Sequence, residues 1–151
     1  MWIQSMAAVL LLASSACSSS SMESAAHEMN GALSDARAEN ARHQGTCAAA
    51  ESLPDVMTEL TMHESAMNGT MTDMDHAMGK MMGCSSSEMD RVAAGISGVR
   101  SDMAGHRARL ETASDIQAAH DECAAHHSAL ETKLSTMGAD TGHMSCMMMG
   151  K

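Results

Sequence analysis

The chain contains no phenylalanine and no tyrosine, and its one tryptophan is residue 2. Aromatic side chains bury about 150–250 Å² each and usually dominate the energetics of a core. A core without them rests on aliphatic side chains, here mostly Ala and Met, and gains from a further source of stability such as bound metal. Basic residues are scarce too. Lys and Arg number 9 against 19 Asp and Glu, for a formal charge of −10. That balance excludes nucleic acid as a partner, because counterion release needs clustered Lys and Arg. An acidic surface gathers cations instead. The motifs of common metalloenzymes are also missing. "HEMNG" (27–31) and "HESAM" (63–67) begin like H-E-x-x-H but lack the second histidine. No C-x-x-C-H is present for covalent haem. Only Asp73-x-x-His76 comes near the Glu-x-x-His of di-iron bundles, and "GISG" (95–98) is not a nucleophile elbow. No enzymatic activity is expected.

What is present is sulfur and imidazole. The 151 residues suit one domain and include 19 Met, 9 His and 5 Cys. The run "MAAVLLLASSAC" (6–17) is apolar but too short to span a bilayer comfortably. It reads as a secretory signal over residues 1–16, with residues 17–21 as a short tether and 22–151 as the folded domain. Two halves, 18–84 and 85–151, open alike with "SSSSME" and "SSSEMD" and close alike with "HAMGKMMG" and "HMSCMMMG". As a repeat, each half is a unit that needs the other to cover its apolar face.

The periodicity is helical throughout. Stripes spaced alternately four and three apart run from Met22 to Cys47, Met57 to Met81, Met89 to Leu110 and Ile116 to Met137. Glu64 and His127 fall on the second and fourth of them. Ser52, Pro54 and Asp55 fit the start of a helix, as do Ser85 and Glu88. Asn68-Gly69 and Gly138 are candidate breaks. The expected fold is all-α, an antiparallel four-helix bundle built from two similar halves.

Residues three or four apart on a helix share a face. Pairs at that spacing are Met67/Met71, Met71/Met74, Met74/Met78, Met78/Met82, His43/Cys47, His63/Met67, His120/Cys123, Cys123/His127 and His143/Met147. Met81, His76 and Cys84 crowd the same segment as the first Met stripe, and Cys146 and Met148 lie beside His143 and Met147. Thioether, thiolate and imidazole together select Cu(I), because soft donors favour the soft ion. Cys47, Cys84, Cys123 and Cys146 also make an even set for two disulfides, Cys47/Cys123 and Cys84/Cys146 being attractive pairs; disulfide and metal thiolate both remain open. Histidines that follow an acidic residue by four positions include those of Glu23/His27, Glu39/His43, Asp102/His106 and Glu122/His126. A carboxylate so placed can orient an imidazole. His43 and His106 lie on core stripes and read as ligands, while His27 and His126 read as exposed ion pairs.

Ser15, Ala16 and Cys17 resemble the lipobox of bacterial lipoproteins, although Ser14 stands where that family has a larger aliphatic residue. The resemblance implies lipidation of Cys17 and anchoring to a membrane in the cell envelope. In its Met, His and Cys content and helical pattern, the domain resembles the exported copper-binding proteins of bacteria, including helical-bundle copper storage proteins. Those bundles are lined by C-x-x-x-C pairs, which this chain lacks, so Met would take the Cys role. The resemblance implies sequestration of Cu(I) without turnover. The alternatives are a structural helical lipoprotein that binds nothing and a Met/Cys oxidant sink.

Overall fold

The computed structural model describes residues 16–81 and 86–143. They form four helices, α1 (Ala16–Ala49), α2 (Leu53–Lys80), α3 (Ser86–Glu111) and α4 (Ile116–His143). The helices pack antiparallel, α1 against α2 and α4, α3 against α4 and α2, and α2 barely touches α4 across the diagonal. This is the expected four-helix bundle. α1 begins at Ala16, so the serine run read as a tether is helical along its backbone. The signal segment before it, the Met82–Ser85 link and the Met-rich end from residue 144 lie outside the described residues.

Local chemistry sets the helix ends. Ser52 is extended (φ −145°, ψ 156°) and its Oγ accepts the Asp55 backbone N–H at 3.4 Å, with Pro54 in the first turn. Such a cap contributes roughly 1 kcal/mol. α3 stops where the Thr112 and Ala113 amides turn back onto Arg109 and Leu110. α4 restarts at Asp115, whose Oδ1 accepts the Ala118 N–H at 2.8 Å. Asn68-Gly69 and Gly138 do not break their helices. Gly138 instead lets an arginine through: a Cβ there would lie 2.7 Å from Arg37 Nη2, which crosses from α1 to donate to the Leu134 carbonyl at 3.1 Å.

Two apolar clusters fill the bundle. The larger occupies the end where α1 and α3 begin, and holds Met29, Met67, Met71, Met74, Met103 and Met137 among Ala, Val, Ile and Leu. The smaller holds Cys47, Val56, Leu60, Leu110, Ala119 and Cys123 at the other end. On α3 the buried positions Val92, Ile96, Val99, Met103, His106 and Leu110 follow the expected stripe. On α2 and α4 the stripe departs by one residue: His63 rather than Glu64 and His126 rather than His127 are buried. A strict three-four alternation advances 3.5 residues per turn against 3.6 for a straight helix. Counted back from Met67 or Leu130, the inward position therefore arrives one residue earlier.

Two glycines of these helices give opposite expected outcomes on changing to Ala. Gly69 faces open space, so Gly69→Ala should stabilise the protein by about 1 kcal/mol through helix propensity alone. At Gly95 the new Cβ would stand 2.4 Å from Cγ of the buried Met137, so Gly95→Ala should destabilise, an overpacking cost of about 1–3 kcal/mol exceeding the propensity gain. Urea unfolding of the two variants checks both signs.

Candidate metal centre

Between the two apolar clusters each helix contributes one buried imidazole, His43 from α1, His63 from α2, His106 from α3 and His126 from α4. Each stands four residues after an acidic side chain, Glu39, Glu59, Asp102 and Glu122, and the two halves repeat this pattern at an offset of 63 residues. Neighbouring helices stack their rings, His43 on His63 with centroids 3.9 Å apart and His106 on His126 at 3.8 Å. Diagonal partners meet edge-on, at 5.4 Å for His43 and His106 and 5.7 Å for His63 and His126.

The carboxylates do not orient the histidine of their own helix. They cross to the neighbour. Glu59 on α2 meets His43 Nδ1 at 3.0 Å, and Glu39 on α1 meets His63 Nδ1 at 2.9 Å. Antiparallel packing explains the exchange, because the histidine of one helix lies level with the acid of the other. Arg42 ties this reciprocal pair together, its guanidinium within 2.7 Å of both Glu39 and Glu59. In the other half Glu122 on α4 meets His106 Nδ1 at 2.9 Å and is held by Arg109 Nε at 2.7 Å. The fourth contact is missing. Asp102, one methylene shorter than Glu39 at the equivalent position, ends 3.5 Å from Lys133 Nζ, and both ring nitrogens of His126 lack a hydrogen-bond partner.

Burial disfavours the imidazolium form in all four rings. It pushes the His63 pKa down to about 4, with the nearby His43 adding to the effect, and that of His126 to about 2, with His106 and His63 adding. Burial lowers His43 and His106 as well, opposed by Glu59 and Glu122 respectively. For Glu39 and Glu59, burial works against ionisation. Hydrogen bonds from Arg42, and from His63 and His43 respectively, outweigh it and hold both below the ordinary carboxylate range. The centre thus sets neutral imidazoles against the anionic Glu39 and Glu59.

That arrangement suits a cation. A carboxylate on Nδ1 fixes the proton there and leaves the lone pair on Nε2, as it does for metal-bound histidine. The Nε2 atoms of His43 and His106 face each other at 3.3 Å. With both protons held at Nδ1, these lone pairs repel unless a positive charge lies between them. Bonds of about 2.0–2.1 Å in a tetrahedral site put neighbouring donors about 3.3–3.4 Å apart. Nε2 of His63 is also buried without a partner. Cys123 Sγ lies within 4.8 Å of ligand atoms of His43 and His106, so these three residues could hold a metal ion. Cys123 is itself bonded to Cys47 in a disulfide, one of the two expected pairings. In that state imidazole is the available donor, and reduction would add a thiolate.

Of the residues singled out from sequence, His43, His106, Cys47 and Cys123 come together here. Met67, Met71, Met74 and Met81 are buried in the larger apolar cluster and Met78 packs against it. His76 and His143 are exposed. His120 Nε2 donates to the Ala50 carbonyl at 3.0 Å, and His127 Nδ1 donates to that of Asn40 at 3.3 Å, so both tie helices together away from the centre. Met82, Cys84, Cys146, Met147 and Met148 lie outside the described residues, as do the side chain of Cys17 and the Cys84/Cys146 pairing. His126, read as an exposed ion pair, is 2% exposed and belongs to the centre. His63, singled out from sequence only as the neighbour of Met67, stacks on His43 in this layer. The signal that finds both is the fourfold acid-x-x-x-histidine spacing, which includes Glu59/His63. Comparison with protein-family models, curated proteins and solved structures finds no match to this chain.

The depressed histidine pKa values fix the sign of a pH dependence. An unfolded chain takes up protons near pH 6.5 that the folded core refuses, so stability is complete above that value and falls as pH drops toward 4. Ionised Glu39 and Glu59 add to the loss below about pH 4.5. Urea midpoints of metal-free protein should therefore hold level from pH 7.5 to about 6.5 and decrease from there to 4.5, and a profile flat throughout would contradict neutral buried imidazoles.

Proposed function

We propose that the protein binds and sequesters one copper ion at the four-histidine centre. The observation that carries this reading is the set of buried ring nitrogens without protein partners, at His63 and His126, beside the opposed Nε2 atoms of His43 and His106. Leaving such atoms unpaired in an apolar core costs about 1–3 kcal/mol each; a coordinated ion removes that cost. Imidazole suits copper and zinc alike, so a test of the reading must titrate both. Storage rather than turnover follows from closure. The facing donors, Nε2 of His43 and of His106, are fully buried beside Cys123, which suits a closed site rather than the open position of a catalytic one. Met29, Met67, Met71, Met74, Met81, Met103 and Met137 fill the core beside the centre, flexible side chains in place of aromatic ones. The Cys47–Cys123 disulfide supports an exported protein, since such bonds persist in oxidising compartments, and Cys17 remains the proposed lipid anchor.

Anaerobic Cu(I) titration of the full chain against a competing chromophoric chelator, with Zn(II) in parallel, tests the reading. One equivalent should be protected, and His43→Ala or His106→Ala should abolish it. A variant with Met67, Met71, Met74 and Met78 changed to Leu should keep both helix content and uptake, each swap costing less than about 1.5 kcal/mol. Loss of uptake in that variant would return the thioethers to the ligand set. Bound copper should also raise unfolding stability by about 3–4 kcal/mol at 100–1,000 times its Kd.

A further inference from the structure

We propose that the Cys47–Cys123 disulfide gates a three-ligand metal site, in which reduction frees the Cys123 thiolate to join His43 and His106 around one soft ion. The inference rests on the metal-binding reading of the histidine layer and adds what controls it. Cys123 Sγ and one ring nitrogen each of His43 and His106 lie within 4.8 Å of one another, and all three residues are buried. The two imidazoles present Nε2 to Nε2 at 3.3 Å, each held from behind by a carboxylate on Nδ1, Glu59 at 3.0 Å and Glu122 at 2.9 Å. Two arms of the site are thus fixed whatever the state of the sulfur. The third changes its chemistry with that state. A disulfide sulfur carries no charge, whereas the thiolate is the metal-binding form of cysteine.

Charge decides between the two states. Cu(I) between two neutral imidazoles is a cation in an apolar core, where unpaired charge is disfavoured. A thiolate at the third position neutralises it, and soft sulfur suits the soft ion. Opening the gate breaks only the Sγ–Sγ bond. A dithiol reductant attacks one sulfur, passes through a mixed disulfide and leaves as its own disulfide, so two electrons and two protons reach Cys47 and Cys123. Cys123 then gives its proton to solvent as its Sγ–Cu bond forms. Closing runs the exchange backwards. The reductant's disulfide form takes the two electrons back, the Cys47 proton passes to the new thiol, the Sγ–Sγ bond re-forms and Cu(I) leaves. Position gives the reductant access, because Cys47 lies in the last turn of α1, which ends at Ala49, and helix ends open most cheaply. A cross-link serving stability alone has no need of two imidazole nitrogens beside one of its sulfurs.

The full chain with Cys17, Cys84 and Cys146 changed to Ser keeps this pair as its only cysteines. It is prepared as disulfide and as dithiol, the reductant being removed without oxygen, and each form is titrated with Cu(I) against a chromophoric chelator. The dithiol form should bind about 5–150-fold more tightly, the usual range of coupling between linked sites. It should also show the near-ultraviolet absorption of a copper–thiolate bond. Cys47→Ser and Cys123→Ser in the same background lose the same cross-link, but only Cys47→Ser keeps the proposed ligand. Cys47→Ser should bind as the dithiol form does with no reductant added, and Cys123→Ser no more tightly than the disulfide form. Equal affinity of the disulfide and dithiol forms overturns the inference while leaving copper at the histidines in place. Affinity in Cys123→Ser matching the dithiol form overturns it too. Absence of Cu(I) uptake in every form removes the histidine site itself, and the inference with it. Where a single variant loses its helix content, the two forms of the parent decide alone.

Discussion

Four imidazoles in the middle of an apolar bundle impose the constraint that the surrounding structure answers. Burial strips water from eight ring nitrogens, and a core of Ala, Met, Leu and Val offers them nothing in return. Three carboxylates and two arginines are drawn inward from neighbouring helices to meet that demand. Because each carboxylate serves the histidine of the adjacent helix, the contacts work only when α1 pairs with α2 and α3 with α4 in one register. A slip of one turn would leave buried charge without a partner, at a cost of several kcal/mol. The polar layer thus specifies helix register, a task that interchangeable Met and Ala packing performs poorly.

The absence of aromatics fits this division of labour. Met adapts to irregular space and specifies geometry weakly, so the large cluster can be built from it only if something else fixes the alignment. The layer and the disulfide do so at one end, and the Arg37 crossing over Gly138 does so beside the Met cluster.

Much of the fold was legible because apolar periodicity and capping residues act locally. The Ser52 cap and the α3 stripe needed only neighbouring residues to be read. The site was legible by halves. His43 and His106 lay on stripes that happened to keep their register, whereas 3.6-residue drift carried His63 and His126 off the assumed ones. The abundance of Met points toward sulfur, yet Met67, Met71, Met74 and Met81 pack in the apolar cluster while rarer His and Glu converge. Cross-helix exchange of the carboxylates could not be read from spacing within one helix. It depends on which heights antiparallel neighbours share, which tertiary packing decides. The short reach of Asp102 could be seen in the sequence, but its meaning needed the Glu39–His63 contact as a standard.

The disulfide has a topological consequence. Cys47 lies near the end of α1 and Cys123 in the second turn of α4, so the bond closes a ring of chain that contains all of α2 and α3. A covalent loop of 76 residues removes denatured-chain entropy equivalent to about 4.5 kcal/mol. A backbone cut between α2 and α3 would therefore not separate the molecule into pieces. Each fragment would carry one stacked histidine pair, and the surviving sulfur bridge would keep the two pairs at high effective concentration. The halves are joined twice, once by peptide and once by sulfur, so that either link alone keeps the four imidazoles within one molecule.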